Sequence, residues 1–274
     1  MATRQGGGVK SLVAIMLLAL AAPALPFDHQ HATWSQLLAT HVRVSSDGHA
    51  SSIDYAGLKG QRAVLSAYLA DLSAIRPDEY RAWSRDEQLA FLINAYNAWT
   101  VDLVLGHYPG LHSIKDLGGL FSSPWRRKFF DLLGERRSLD DVEHGLIRER
   151  GRFDEPRIHF AIVCASVGCP MLRAEAYVAS QLDAQLEDGM RRFLGDRTRN
   201  RFDASTKVLE VSKIFDWYEE DFEGGSGRFS SLGATFSAFA EVLGGSLAGA
   251  SGIRSGDYRL EFLSYDWTLN DTQR

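Results

Sequence analysis

Two cysteines and eight histidines are the residues of this chain best suited to nucleophilic or acid–base chemistry. Cys169 follows the loop Ser166-Val167-Gly168 and immediately precedes Pro170. Proline fits the first position of a helix, so the spacing predicts that Cys169 caps a helix. Unpaired backbone N–H groups and the helix dipole would favour a thiolate there. A thiol nucleophile needs a histidine to take its proton and a third group to orient that histidine. Every histidine precedes Cys169, so the nucleophile-first order of papain would require permutation. A histidine-first order is acceptable, because such constellations recur in several chain orders. His144, inside a predicted helix, and His159, on a predicted strand leading to the cysteines, are the two candidate bases. Their bland alternatives are a helix-surface residue and a satisfied core histidine.

Asn94 and Asn97 fall three apart on one face of an apolar helix, with Tyr96 beside them. A buried carboxamide without partners costs about 1–3 kcal/mol. The bland reading, and the favoured one, is that both tie the helix to a neighbouring loop. The functional reading is that one orients a histidine or binds a developing oxyanion. Cys164 and Cys169 form a C-x4-C pair across a glycine loop, a spacing that a disulfide can bridge. That disulfide would be either a structural staple or a redox couple. Zinc on His159, Cys164 and Cys169 is a minor reading. Strand alternation puts His159 on the opposite face from Cys164, and the spacing is no standard ligand signature.

The elements that must position these residues follow from periodicity. Trp34, Leu37, Leu38 and His41 mark a first helix, and Ser45 to Gly48 a turn between short extended pieces. Leu58 to Leu72 trace a second helix that Arg76-Pro77 ends. Ser84 and Glu87 form a capping box for LAFLINAYNAWTVDLVL, apolar nearly all round and therefore central. Hairpins are expected at Lys128–Leu139 and Phe202–Val211. Ser138 and Asp141 cap DDVEHGLIRER. Arg157–Ala165 reads as a buried strand, and a helix is expected from Pro170 to Phe193. Lys213–Phe222 and Phe229–Leu243 read as helices. A glycine-rich loop then leads to a last strand, Tyr258–Tyr265. The economical reading is α+β: one helix-rich domain over residues 25–274 with a small sheet, in a distant thiol-peptidase-like arrangement.

Residues 1–24 have the form of a secretory leader: Arg4 and Lys10, an apolar run from Leu12 to Ala22, and Ala22-Pro23-Ala24 for cleavage. Its removal would leave an exported, periplasmic or secreted chain with no stable membrane span and both cysteines in an oxidising compartment. The 274 residues carry 30 basic and 35 acidic side chains, a balance that argues against a nucleic-acid partner. G-x-x-x-x-G-K-[ST], G-x-S-x-G, H-E-x-x-H and the EF-hand loop are all missing, so no cofactor or metal is expected.

The segments LAFLINAYNAWTVDLVL, SLDDVEHGLIRER, RIHFAIVCASVGCPMLRAEAY, LDAQLEDGMRRFL, VSKIFDWYEEDF and YDWTLND resemble the bacterial and plant domain-of-unknown-function family 547, from about residue 31 to the end. The resemblance implies a shared fold in which NAYN, EHG, IHF and CASVGCP are family motifs, and it carries no activity. The resemblance implies that many relatives carry an Asn or another small residue near the position of Val163, so an Asn side-chain role there is not open to this chain. The leading functional expectation is a thiol hydrolase or acyl-transferase acting on peptide or amide bonds of a peptide or small-molecule substrate. In it Cys169 is the nucleophile, His144 or His159 the base, and Asn94 or Asn97 the orienting group. The alternatives are a non-catalytic binding or structural module and a thiol–disulfide protein using Cys164 and Cys169.

Overall fold

The helix Arg85–Leu105 is the centre of the molecule. Ser84 starts it: its hydroxyl accepts the Glu87 N–H while the Glu87 carboxylate accepts the Ser84 N–H at 2.8 Å. The Leu89–Leu105 stretch is buried on almost every side, as an all-apolar helix must be. The computed structural model describes residues 1–2, 26–119, 123–225 and 227–273, so the leader expected at 1–24 lies almost wholly outside the described residues. Helix Arg62–Ala74 packs on the central helix, and helices Ala32–His41 and Tyr55–Gly60 pack on Arg62–Ala74 in turn. Trp34 stacks on Tyr68 with ring centroids 5.9 Å apart. The short helix Pro77–Ala82 turns the chain into the capping box.

The architecture is α+β and rich in helix, and its sheet structure is divided among three small units within the described residues. Val42–Val44 pairs antiparallel with Ser51–Ile53. Phe130–Leu132 pairs with Glu135–Arg137 around Leu133-Gly134, as the hairpin reading required. In the third sheet, Val208–Val211 lies between Arg201–Asp203, antiparallel, and Arg259–Phe262, parallel. Two cores result. The larger is built around the central helix, and the smaller from Phe160, Phe193, Phe215, Phe222, Phe236, Phe239 and their neighbours.

Three sequence expectations fail, for identifiable reasons. Arg157–Ala165 is not a strand: Pro156–Phe160 is a 3-10 turn followed by irregular chain. Among the described residues no strand pairs with this segment, and the Asn97 amide takes the place of a ladder. It donates to Ala161 C=O at 2.9 Å and accepts from Val163 N–H at 2.9 Å. No helix begins at Pro170. The chain stays irregular until a 3-10 turn at Ala179–Gln181, and the helix proper is Leu182–Gly195. Asn94 bonds both Tyr177 N–H and C=O, while Gln185 bonds Val178 N–H and Ala176 C=O. Side chains thus satisfy a buried backbone that forms neither helix nor sheet. Finally, the glycine-rich stretch after Gly245 contains a helix, Leu247–Ser255, capped by Ser246. Close packing of Gly244 on Gly249 and Ala250 explains the small residues: a Cβ on Gly244 would lie 2.3 Å from Ala250 N. Among the described residues no helix is long and apolar enough to cross a membrane.

Candidate functional site

Cys164 and Cys169 face each other across the loop 165–168, as free thiols with their sulfurs 2.9 Å apart. Ala165 turns the loop with a left-handed backbone, φ 59°. The Cys164 N–H points at the Cys169 sulfur, 2.8 Å away. The C-terminal segment 265–270 straps the loop in place. Val167 N–H donates to Thr268 C=O, Gly168 N–H to Asp266 C=O, and Asn270 N–H to Ala165 C=O. A side chain at Gly168 would meet the Asp266 backbone at 3.0 Å, so only glycine lets the strap lie this close. The strap also delivers the Tyr265 hydroxyl to 3.1 Å from the Cys164 sulfur, beside the Ser166 hydroxyl at 3.0 Å.

The two thiols differ in access and in acidity. Cys169 is buried and Cys164 partly exposed. Burial raises both, but hydrogen bonds from Cys169, Ser166 and Tyr265 outweigh it at Cys164 and bring that thiol down to about 7. Cys169 goes well up, through burial and the adjacent Cys164 sulfur. The pair therefore loses its first proton from Cys164, with Cys169 S–H donating to the thiolate. The grounds for choosing Cys169 are absent: no helix starts beside it, and its thiol is raised, not lowered.

Cys164 opens on a cavity of about 320 Å³, a volume at the lower end for small-molecule sites. Trp125, Trp217, Tyr265 and Trp267 make an aromatic wall, Tyr265 and Trp267 with centroids 4.6 Å apart. Tyr96, Glu143, His144, His159 and Tyr218 complete the side that faces the central helix and the 3-10 turn. Glu143 and His144 come from Glu143–Ile147, a π-helical turn that follows the short helix Leu139–Val142. Such turns concentrate at functional sites. Buried Glu143 accepts hydrogen bonds from Tyr218 at 2.7 Å and Tyr96 at 3.1 Å. Burial first, then the charge of Glu143, pushes both phenols up, so they remain donors.

The two candidate histidines separate clearly. His144 is exposed at the cavity rim, with Arg148 on one ring nitrogen and Asp140 3.6 Å from the other. His159 is buried, stacked on Tyr218 with centroids 3.8 Å apart, and its Nε2 lies 2.6 Å from Asp221. Arg148 forks onto the same carboxylate at 2.6 and 3.1 Å. Burial alone would raise the Asp221 carboxyl, but these partners hold it far below the usual carboxylate range. Burial lowers the His159 imidazole in spite of the nearby acids. A neutral ring beside an ionised Asp221 carries its proton on Nε2, leaving Nδ1 with a lone pair.

Asn94 and Asn97 join neither histidine nor thiol; both amides are spent on backbone, as the bland reading held. Among the described residues, no cluster of three or more His, Cys, Asp or Glu is arranged to hold a metal. Asp221, Tyr218, Glu143 and Tyr265 went unremarked as site residues in the sequence. A signal for the first two lay in the acidic, aromatic run DWYEEDF.

Residues 80–194 match the model of a family described as "Protein of unknown function, DUF547". The chain resembles that family over the central helix, the π-turn, His159 and both cysteines, while Tyr218, Asp221 and Tyr265 lie beyond the matched stretch. Searches of curated proteins and of solved structures gave no match.

Proposed function

We propose that this protein is a thiol-dependent hydrolase or acyl-transferase acting on an amide or peptide bond, with Cys164 as nucleophile, His159 as general base and acid, and Asp221 as the group that orients His159. The observation that carries this reading is that the more acidic, more accessible thiol and an Asp-held neutral histidine open on one cavity.

His159 Nδ1 takes the Cys164 thiol proton, the resulting thiolate attacks the carbonyl carbon, and the carbonyl π electrons move onto oxygen. Ser166 and Tyr265 hydroxyls, both close to the sulfur, are the donors nearest that oxyanion. Collapse of the adduct expels the amine, which leaves with a proton from the His159 imidazolium, and a thioester remains on Cys164. Water or an acceptor amine, deprotonated by His159 Nδ1, then releases the acyl group. Asp221 keeps the ring in the one tautomer that serves both steps. The aromatic wall fits an acyl group or side chain with a flat apolar face.

The test is an acyl-enzyme trap. The protein is mixed with a panel of activated peptide thioesters and anilides, quenched in acid and weighed. Acylation confined to Cys164, with slower release in His159→Gln, supports the reading. Failure of every compound to acylate Cys164, or equal turnover by Cys164→Ser, overturns it. The same reading has the protein working outside the cytoplasm after loss of residues 1–24. Mass spectrometry of material from a secreting bacterium should find a new N-terminus near Leu25, and a retained leader would oppose export.

A further inference from the structure

We infer that Cys169 is a resolving thiol, and that the Cys164–Cys169 pair reduces small hydroperoxides at the floor of the same cavity. The inference rests on the reading of Cys164 as the reactive thiol, and it assigns Cys169 a function that acyl transfer does not require.

The two sulfurs are 2.9 Å apart. Hydrolysis through a single thiol has no use for a second buried one at that distance, and a Cys169 serving only as a hydrogen-bond donor could equally be serine. What a neighbouring thiol offers is capture of an oxidised sulfur. Cys164 and the more buried Cys169 both line a cavity of about 320 Å³ with an aromatic wall. Its size admits hydrogen peroxide or a small organic hydroperoxide.

The chemistry balances with the hydroperoxide as the only co-reactant. The Cys164 thiolate attacks the outer peroxide oxygen, the O–O bond breaks, and the alkoxide or hydroxide that leaves takes a proton from water or from Tyr265, which regains it from solvent. Cys164 becomes a sulfenic acid, oxidised by two electrons as the peroxide is reduced by two. The Cys169 sulfur then attacks the Cys164 sulfur. Hydroxide leaves with the Cys169 proton as water, and a Cys164–Cys169 disulfide remains. An external dithiol restores the pair. While the disulfide stands, Cys164 cannot form a thioester, so the oxidised protein is also inactive in acyl transfer.

The test uses the intact protein, pre-reduced, with one equivalent of hydrogen peroxide, followed by acid quench, alkylation and peptide mapping. The expected result is loss of both alkylatable thiols together and recovery of a linked Cys164–Cys169 peptide, reversed by dithiothreitol. Cys169→Ser keeps a hydroxyl donor beside Cys164 and should stop at a dimedone-reactive sulfenic acid. Its circular dichroism spectrum should match the parent's, which shows that it is folded. If the parental protein instead accumulates sulfenic or sulfinic acid on Cys164 with Cys169 still free, the resolving role is overturned while the acyl-transfer reading stands. If neither thiol reacts with peroxide or iodoacetamide faster than free cysteine, both readings fall.

Discussion

At Cys164 the decisive quantity is how many donors converge on one sulfur. Burial opposes a thiolate, yet Cys169, Ser166 and Tyr265 together bring the thiol down to about 7. Iodoacetamide should therefore label Cys164 before Cys169, with a rate that climbs through about pH 7. Tyr265→Phe removes one donor and should move that rise to higher pH. Labelling of Cys169 first would place the thiolate on the wrong sulfur. A second titration belongs to His31, buried with its Nδ1 2.7 Å from the Tyr68 hydroxyl. Burial lowers it from 6.5 to about 4, against the pull of Asp28. The unfolded chain takes up this proton near 6.5 and the folded chain only near 4. The stability tied to neutral His31 is thus complete above pH 6.5 and is lost as the pH falls to about 4, at most about 3 kcal/mol. His159, also lowered by burial, adds a loss of the same sign. His31→Asn, tolerated at a left-handed position of φ 48°, should flatten the denaturation midpoint between pH 6.5 and 4. An unchanged slope would show that the ring titrates normally.

Two elements hold the cysteine loop, and neither is regular secondary structure. One is the amide pair of the central helix. Asn97→Leu leaves Ala161 C=O and Val163 N–H buried without partners, at about 1–3 kcal/mol for each group. Asn94→Leu does the same to Tyr177. Denaturant midpoints should fall clearly for both, and Asn97→Leu should also slow Cys164 labelling, because residue 163 adjoins the thiol. The other element is the C-terminal strap. Gly168→Ala would press on Asp266 and Tyr265 at 3.0 Å, so the labelling rise should again shift to higher pH, without loss of the fold. These two elements also mark where the sequence was legible. The capping box at Ser84, the hairpin at Leu133-Gly134 and the core of the NAYN helix follow from local rules, and the structure has all three. Arg157–Ala165 and Met171–Val178 look like a strand and a helix because apolar residues are dense there. Local pattern cannot reveal that amides from distant residues replace the ladder. The helix cap expected at Cys169 failed for this reason, and with it went the ground for preferring that thiol. His159 was legible as a residue, but Asp221 lies 62 positions away and only the fold brings it near.

On the scale of the whole molecule, the site lies on the seam between two cores. Ile158 and Ala161 pack in the larger core, whereas Phe160, between them, packs in the smaller one. Phe160 lies 5.1 Å from Phe193 and 5.7 Å from Phe215, ring centre to ring centre. His159 precedes it directly, and Tyr218 and Asp221 arrive from the far side of the seam. The cavity is thus lined from both cores: Tyr96 and Val163 from one, Ile214 and Tyr218 from the other. Any loosening of one core against the other must therefore separate His159 from its partners before it disturbs the central helix. Phe160→Ala tests this directly. Truncating a fully buried phenylalanine costs about 3–5 kcal/mol, and here the void opens at the junction. Hydrogen exchange should accelerate in Leu209–Val211 and Phe236–Leu243 while Leu89–Leu105 stays protected. Cys164 should keep its labelling rate, since its donors belong to the loop and the strap. Acylation through His159 should fall by an order of magnitude or more, because the base has lost its fixed position. Uniform acceleration of exchange across both cores would mean that they unfold as a single unit, and the seam would then have no mechanical meaning.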